Sequence, residues 1–450
     1  MKKTIITTSI LALFAGSLYA AEIEAISGQS LTFDSITKTY TSETPYADQK
    51  YMAYKGGSII VNGDINATFS DFNRSTSGSD VVAGLIKVNN TKIANGDTTD
   101  YSGQLPSIVV NGTVRSTISG NSNIYAFYGG NGGNVANATS TVGAVEINVQ
   151  SGTVSNITIG GGKSNDVLGN ATLNITGGNV NEILGASGGC SVGGTISINV
   201  SGGTVDTIYA GGQGTKSIIG NGTRIVVSGS AQVNNIYGGS WLPSTYGPEY
   251  STGTIKNGTS ITLKDSVNVS GEINGGCVGY KTQIENIEGD KVLNIESYNG
   301  TLGATIVNMD VVNISADSKV EFTNAFDVDT LVVEIPQIML FSTDAQVKLE
   351  EGTTFDILTI VGDFAEIENS VSLDSIFGDS ASVVLSSLKD DTTALTVVDA
   401  NGQEWTTENL TFDDNGNVSF NLGVAVPEPS TYTMIFGAVA LGFVAYRRRK

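Results

Sequence analysis

Between Val145 and Gly276 the sequence returns to one pattern five times. In its clearest copy Ile196, Ile198 and Val200 alternate with Ser197 and Asn199. Ser201-Gly202-Gly203 follows, then Val205 and Ile208, and Gly211-Gly212 closes the unit. Val145 to Gly162, Leu173 to Gly185, Ile225 to Gly239 and, more loosely, Ile261 to Gly276 keep the same plan. From Ile157 to Ile183, Ile208 and Ile236 the step is about 25 to 28 residues, a period typical of solenoids and arrays.

The alternation marks a half-buried strand, with Ile196, Ile198 and Val200 on one side. Glycine then supplies the positive φ that a tight turn needs. Val205 and Ile208 are three apart, which breaks the period of two and predicts a corner rather than a continuous strand. One unit cannot bury its own apolar face. Stacked on its neighbours it can, with aliphatic ladders inside and backbone hydrogen bonds running from coil to coil. The expected fold is all-β, a right-handed parallel β-helix or β-solenoid. Glycines and β-branched residues oppose a helical repeat, and a propeller blade needs about 40 residues and four strands.

Composition narrows the chemistry. Of 450 residues 56 are Gly and only 15% are charged, which suits an extracellular β-rich chain better than a cytosolic enzyme. Net charge is −21, and six of the 23 basic residues sit at the ends: Lys2, Lys3, Arg447, Arg448, Arg449 and Lys450. The body between them is near −27, by difference about 17 basic against about 44 acidic residues, and repels nucleic acid and anionic membrane surfaces. There is no histidine, so a Ser-His-Asp triad and a His-containing zinc site are excluded. Cys190 and Cys277 each follow Gly-Gly and share one corner of the repeat. They stand about three coils apart, roughly 14 Å at about 4.8 Å per coil, beyond disulfide reach. Both are expected to be buried free thiols.

Residues 1–20 read as a secretory signal peptide, with Lys2-Lys3, an apolar stretch from Ile5 to Leu18, and cleavage after Ala20. Residues 21–105 are polar and irregular and are expected to form an N-terminal cap with one or two degenerate coils. The glycine-rich solenoid takes 106–280. Between Gly239 and Ile261 an insertion carries Trp241, Tyr246 and Tyr250, a candidate ligand loop. Insertions of this kind map to one face, and the rings either stack on sugars or pack back on the coils. Glycine then falls from about 36 of 175 residues (106–280) to about 9 of 145 (281–425), which sets a boundary. The acidic, glycine-poor region 281–425 contains apolar runs at 331–333, 338–341, 355–361, 383–385 and 395–398. It reads as a β-rich cap region, either wider coils or a small sandwich.

The chain end has three parts in order: Pro427-Glu428-Pro429, an apolar run bounded by Tyr432 and Tyr446, and Arg447-Arg448-Arg449-Lys450. As a helix the run of about 15 residues spans about 22 Å, short of a hydrocarbon core of about 30 Å. One short C-terminal transmembrane helix is expected, with its basic end cytoplasmic and the body outside. The prolines hold the segment before it extended, where an enzyme can grip it. This arrangement resembles the PEP-CTERM sorting signal of diderm bacteria. The resemblance covers the tail alone, residues 426–450. It implies recognition by an exosortase-type membrane protease, transient anchoring in the inner membrane, and delivery to the cell surface or extracellular matrix. Separately, the run from Gly352 to Ile360 resembles the closing region of autotransporter-like passenger domains. Only about 65 residues lie between it and the tail, whereas a barrel takes at least eight strands of about ten residues. Self-translocation is not expected.

Glu146, Asp166, Glu182, Asp206, Asp265 and Glu272 are scattered over different repeat positions. Glu182 aligns with Thr207 and Asp206 with Asn181, which makes the two acids candidate neighbours across two coils. A carboxylate pair can work on a glycosidic bond. Solvated turn chemistry is the plainer role, and no Arg or Lys stands beside them in the repeat as β-elimination requires. The Gly runs at 129–133 and 160–163 do not continue as Gly-Lys-Ser/Thr into a helix, so they are turns rather than phosphate loops. Thr113, Thr153 and Thr204 share a Gly-Thr-Val position, but Asn179 and Ala231 interrupt that column.

The combined expectation is an exported, non-enzymatic surface or matrix protein with a structural or adhesive role. Exopolysaccharide or cell-surface glycans are its expected partners, and no catalytic residue, metal or cofactor is assigned. The competing readings are a polysaccharide-active β-helix enzyme, which needs converging acids beside a groove, and an ice-binding solenoid, which needs a flat Thr-rich face.

Overall fold

The computed structural model describes residues 23–425 apart from intervening segments, the longest being 42–50, 90–106, 131–138, 242–252, 279–285, 336–344, 363–370 and 389–394. The leader at 1–20, the run at 338–341, Tyr246, Tyr250 and the tail from residue 426 on lie outside the described residues. So does the helix expected between Tyr432 and Tyr446. Among the described residues no helix is long and apolar enough to cross a membrane. The chain divides into two compact units. The first takes the residues up to Thr262 with Val267–Lys291, the second Leu263–Ser266 with the residues from Val292 on.

In the first unit each strand pairs in parallel with its equivalent one coil away. On one face Ser30–Phe33, Ser58–Val61, Ser107–Ser119, Thr139–Val149, Ala171–Ile175, Ile196–Val200 and Thr223–Val227 follow one another. On a second face run Asn123–Tyr128, Thr153–Thr158, Asn179–Ala186, Thr204–Gly212 and Gln232–Tyr237. A shorter third line passes through Val167, Val192, Ile219 and Ile255. Long parallel sheets of this kind are consistent with a β-solenoid. The ladder begins at Ser30, within the region expected to be cap and degenerate coils.

The register matches the repeat. Ile157, Ile183, Ile208, Ile236 and Ile273 pair in sequence, and all five are wholly buried. Outward on the first face the Asn174 amide donates to the Asn148 carbonyl oxygen at 2.9 Å, and Asn199 to Asn174 at 2.8 Å. Each amide supplies one donor and one acceptor, so the ladder satisfies itself coil by coil. The turn at Ser201-Gly202-Gly203 places Gly203 at φ 78°, a conformation that costs other residues about 1–2 kcal/mol. No break falls at the corner expected between Val205 and Ile208: the strand Thr204–Gly212 runs through it. The register passes over Asp206 on both sides and resumes at Thr207. Leaving one residue out of the ladder absorbs the broken period without ending the strand.

The second unit is also built of parallel strands. Val292 pairs with Val311 and Val311 with Thr330, and the ladder goes on through Thr354–Gly362 to Leu395–Asp399. Its first described coils are narrower than those of the first unit, not wider. The Asn313–Asn294 amide bond joins residues 19 apart, against 25 for Asn199–Asn174. These coils turn tightly at Ser297 and Asn308, both at positive φ. After Leu395–Asp399 the pairing becomes antiparallel, through Glu404–Phe412 and Val418–Ala425.

The run Val383-Val384-Leu385 is not a strand. It lies in the helix Ala381–Leu388, preceded by a short helix at Leu373–Phe377. Ala381, Val384 and Leu388 are buried while Val383 and Leu385 are not, a spacing of three and four rather than two. The Ser387 hydroxyl fastens the helix to Thr354–Gly362. It accepts from the Phe355 N–H at 2.7 Å and donates to the Phe355 carbonyl at 2.9 Å.

Asp317 ties one of the narrow turns. Its carboxylate accepts from the Ser297 hydroxyl at 2.5 Å, the Ser297 N–H at 3.1 Å and the Ser315 hydroxyl at 2.5 Å. The Ser297 and Ser315 hydroxyls favour the charged form and hold the carboxyl down at about 2. The stabilisation is therefore complete above the ordinary carboxylate value near 4 and is lost as pH falls through about 2. Because the group is exposed, solvent screening limits the effect to about 1 kcal/mol or less. Asp317→Asn is expected to flatten the pH dependence of the urea midpoint between about pH 4 and 2. An unchanged profile would show that these hydrogen bonds contribute nothing.

Candidate functional site

The second face carries a continuous outward column. Asn73, Asn123, Thr153, Asn179, Thr204, Gln232 and Asn268 pair one after another across seven coils. All seven are exposed. From Asn123 on, each is followed by a residue that turns inward: Ile124, Val154, Val180, Val205, Val233 and Val269 are at most 3% exposed. Position in the coil thus decides direction: the first residue of the strand points out and the next points in.

A second row runs beside the first, formed by Ser155, Asn181, Asp206, Asn234 and Ser270. Together they line a groove of about 400 Å³ that contains one charged residue, Asp206, and neither Lys nor Arg. The Thr204 hydroxyl donates to Asn179 at 2.6 Å, and the Ser270 hydroxyl to Asn234 at 3.1 Å. Asp206 accepts from the Asn234 amide and from the Thr207 hydroxyl, each at 3.1 Å.

Two corrections to the threonine alignment follow. Thr113 pairs with Ala144 on the other face and has no place in this column. Gln232, not Ala231, stands opposite Thr204. The Gly-Thr-Val signature misleads at Thr113 because that tripeptide falls inside the long strand Ser107–Ser119 rather than after a turn. Asn73, Asn123, Gln232 and Asn268 were not singled out from sequence. Their only signal is a polar residue before an inward-facing one at the start of a short strand.

Of the candidate ligand loop, Trp241 is described. Its ring stacks on Tyr209 at 5.7 Å and 24°, and Tyr209 stacks on Tyr237 at 5.0 Å and 12°. Trp241 therefore packs back on the coils, stacked against Tyr209. Burial, and then the neighbouring Tyr237, pushes the Tyr209 hydroxyl up to about 12, so it stays a protonated donor.

The alignment of the two acids holds: Glu182 pairs with Thr207, which leaves Asp206 opposite Asn181 on the adjacent coil. Glu182 stands between Asn156 and Thr207, and burial pushes its carboxyl above the ordinary range. Asp206 lies in the row lining the groove. Glu272 accepts from the Asn274 amide at 2.8 Å. Among the described residues no group of three or more His, Cys, Asp or Glu is placed to hold a metal ion.

Both cysteines are free thiols. Cys190 is wholly buried, and that burial pushes its thiol up to about 12. Cys277, expected to be buried, is only half-buried, and its sulfur accepts the Ser240 N–H at 3.1 Å. The same repeat corner thus gives the two thiols different exposure.

Comparison with known proteins bears on the tail. Residues 425–450 match the family model described as the PEP-CTERM protein-sorting motif. That span contains Pro427-Glu428-Pro429 and the basic cluster from Arg447 to Lys450. No curated protein and no solved structure matches the chain.

Proposed function

We propose that this chain is a non-enzymatic β-solenoid of the cell surface or extracellular matrix, sorted there by an exosortase and adhering to glycans through an outward face. The observation that carries the reading is the PEP-CTERM motif at residues 425–450. Such a motif supports export and processing by a membrane exosortase. Delivery to the surface or matrix draws support from the order of the tail, with the Pro-Glu-Pro handle on the body side of the apolar run and the basic cluster beyond it. The adhesive part draws support from the uncharged, hydroxyl- and amide-bearing column on the second face. The non-enzymatic part draws support from Asp206 and Glu272, whose carboxylates are held by Asn234, Thr207 and Asn274.

The test is fractionation of the native host with intact-mass analysis of the mature chain. A variant with Pro427, Glu428 and Pro429 all changed to Ala is run beside it. The native chain is expected to lose its C-terminal run and leave the membrane fraction, and the variant to remain there at full length. If both keep the run, the sorting reading fails.

A further inference from the structure

We infer that the groove between Thr153 and Ser270 binds a linear, uncharged polysaccharide laid across the coils along the stacking direction. The inference rests on the adhesive role proposed above and adds the class of glycan and its seat.

Periodicity is the first ground. Thr153, Asn179, Thr204, Gln232 and Asn268 present one side chain per coil at matched register. Coils stack about 4.8 Å apart, close to the length of one sugar unit in an extended chain. A polymer lying along the column therefore meets an equivalent contact at each sugar.

The chemistry of the lining is the second ground. Asn179, Asn181, Gln232, Asn234 and Asn268 line the groove, and each amide offers donors and an acceptor together. A sugar hydroxyl is likewise both, so either partner can donate. Val180, Val205 and Val233 also border it, but their side chains turn inward and are at most 3% exposed, so recognition rests on the polar rows. No aromatic ring lines the groove, so recognition there rests on hydrogen bonding.

Charge is the third ground, and it excludes the main alternative. No Lys or Arg lines the groove, and its single charge is the Asp206 carboxylate. A polyuronate or sulfated glycan would find no counter-charge and would meet a chain of net charge −21. Affinity for a neutral chain comes instead from repetition, since each bound sugar raises the effective concentration of the next.

The experiment uses the purified mature chain, with retention measured on cellulose, a β-1,3-glucan, dextran and polygalacturonate at low and high salt. The groove variant combines Asn179→Ala, Thr204→Val and Gln232→Ala. A control on the first face combines Thr172→Ala and Ser197→Ala. At least one neutral glycan is expected to be retained independently of salt. The groove variant should weaken that retention by about tenfold or more at an unchanged melting temperature, and the control should not. Gln232→Ala alone repeats the test with one exposed side chain and is expected to weaken binding about twofold. Unchanged retention by a groove variant that folds as the native chain would overturn the site while leaving the adhesive role standing. Retention of no neutral glycan, or stronger retention of polygalacturonate, would overturn the ligand class. These readouts are independent of sorting, so they separate from failure of the tail experiment.

Discussion

Gly185→Ala is expected to cost about 3 kcal/mol of stability, while Gly189→Ala, four residues further on, costs about 1. The two glycines serve different ends. Gly185 lies within the strand Asn179–Ala186, where a Cβ would run into the Ala210 carbonyl oxygen of the next coil and sit 2.7 Å from that of Gly211. The obstacle is backbone, so it cannot rotate away. The coils would have to part, and the aliphatic ladder through Ile183 and Ile208 would part with them. Gly189 stands at φ +90° with nothing within 4 Å of its Cβ position. Alanine there meets only the torsional cost of a left-handed conformation. Denaturant unfolding of both variants measures the difference. Hydrogen exchange over residues 171–227 should accompany it, because stacked coils can open in sections. Equal costs would mean that the close approach at Gly185 does not hold the coils together.

The second large effect concerns the two thiols. In the folded chain at pH 8, iodoacetamide is expected to modify Cys277 and leave Cys190 intact. Cys190 is wholly buried and its thiol sits at about 12. At that value the reactive thiolate is on the order of 1 in 10⁴ of the population, against roughly a quarter for a free cysteine near 8.5. Alkylation of Cys190 should therefore be about 10³-fold slower than in the unfolded chain, before steric exclusion is counted. Peptide mass mapping before and after guanidinium treatment reads this directly. Modification of Cys190 at the rate of Cys277 would show that the coil around Ser187 and Gly161, whose N–H lies 3.4 Å from the sulfur, opens in the native state.

The interior of the first unit was legible because its signal is periodic. Ile157, Ile183, Ile208 and Ile236 recur at the coil length, and a recurring apolar residue has to face the recurring inside. The turn glycines were legible for the same reason, Gly203 at φ 78° among them. The helix Ala381–Leu388 was not. Val383 and Val384 are β-branched and Leu385 is apolar, and three apolar residues in a row fit a strand as well as a helix. Only the burial of Ala381, Val384 and Leu388 together resolves the period. The candidate groove was half legible: Thr153 and Thr204 were aligned correctly, whereas Thr113 was placed in a column it does not join. Local sequence carries no mark of which coil face a Gly-Thr-Val tripeptide falls on.

The amino-acid sequence by itself determined the coil length, the inward aliphatic ladder and the glycine turns of the first unit, and the sorting tail. Each of these is a local or periodic pattern, and coil-to-coil hydrogen bonding has one way to use it. Only the tertiary structure decided which polar side chains stand in one outward column, where the coils narrow, and that Trp241 spends its ring on Tyr209. Those outcomes depend on register between coils 19 to 50 residues apart in sequence, and register is set by the packing of whole coils rather than by any residue read alone.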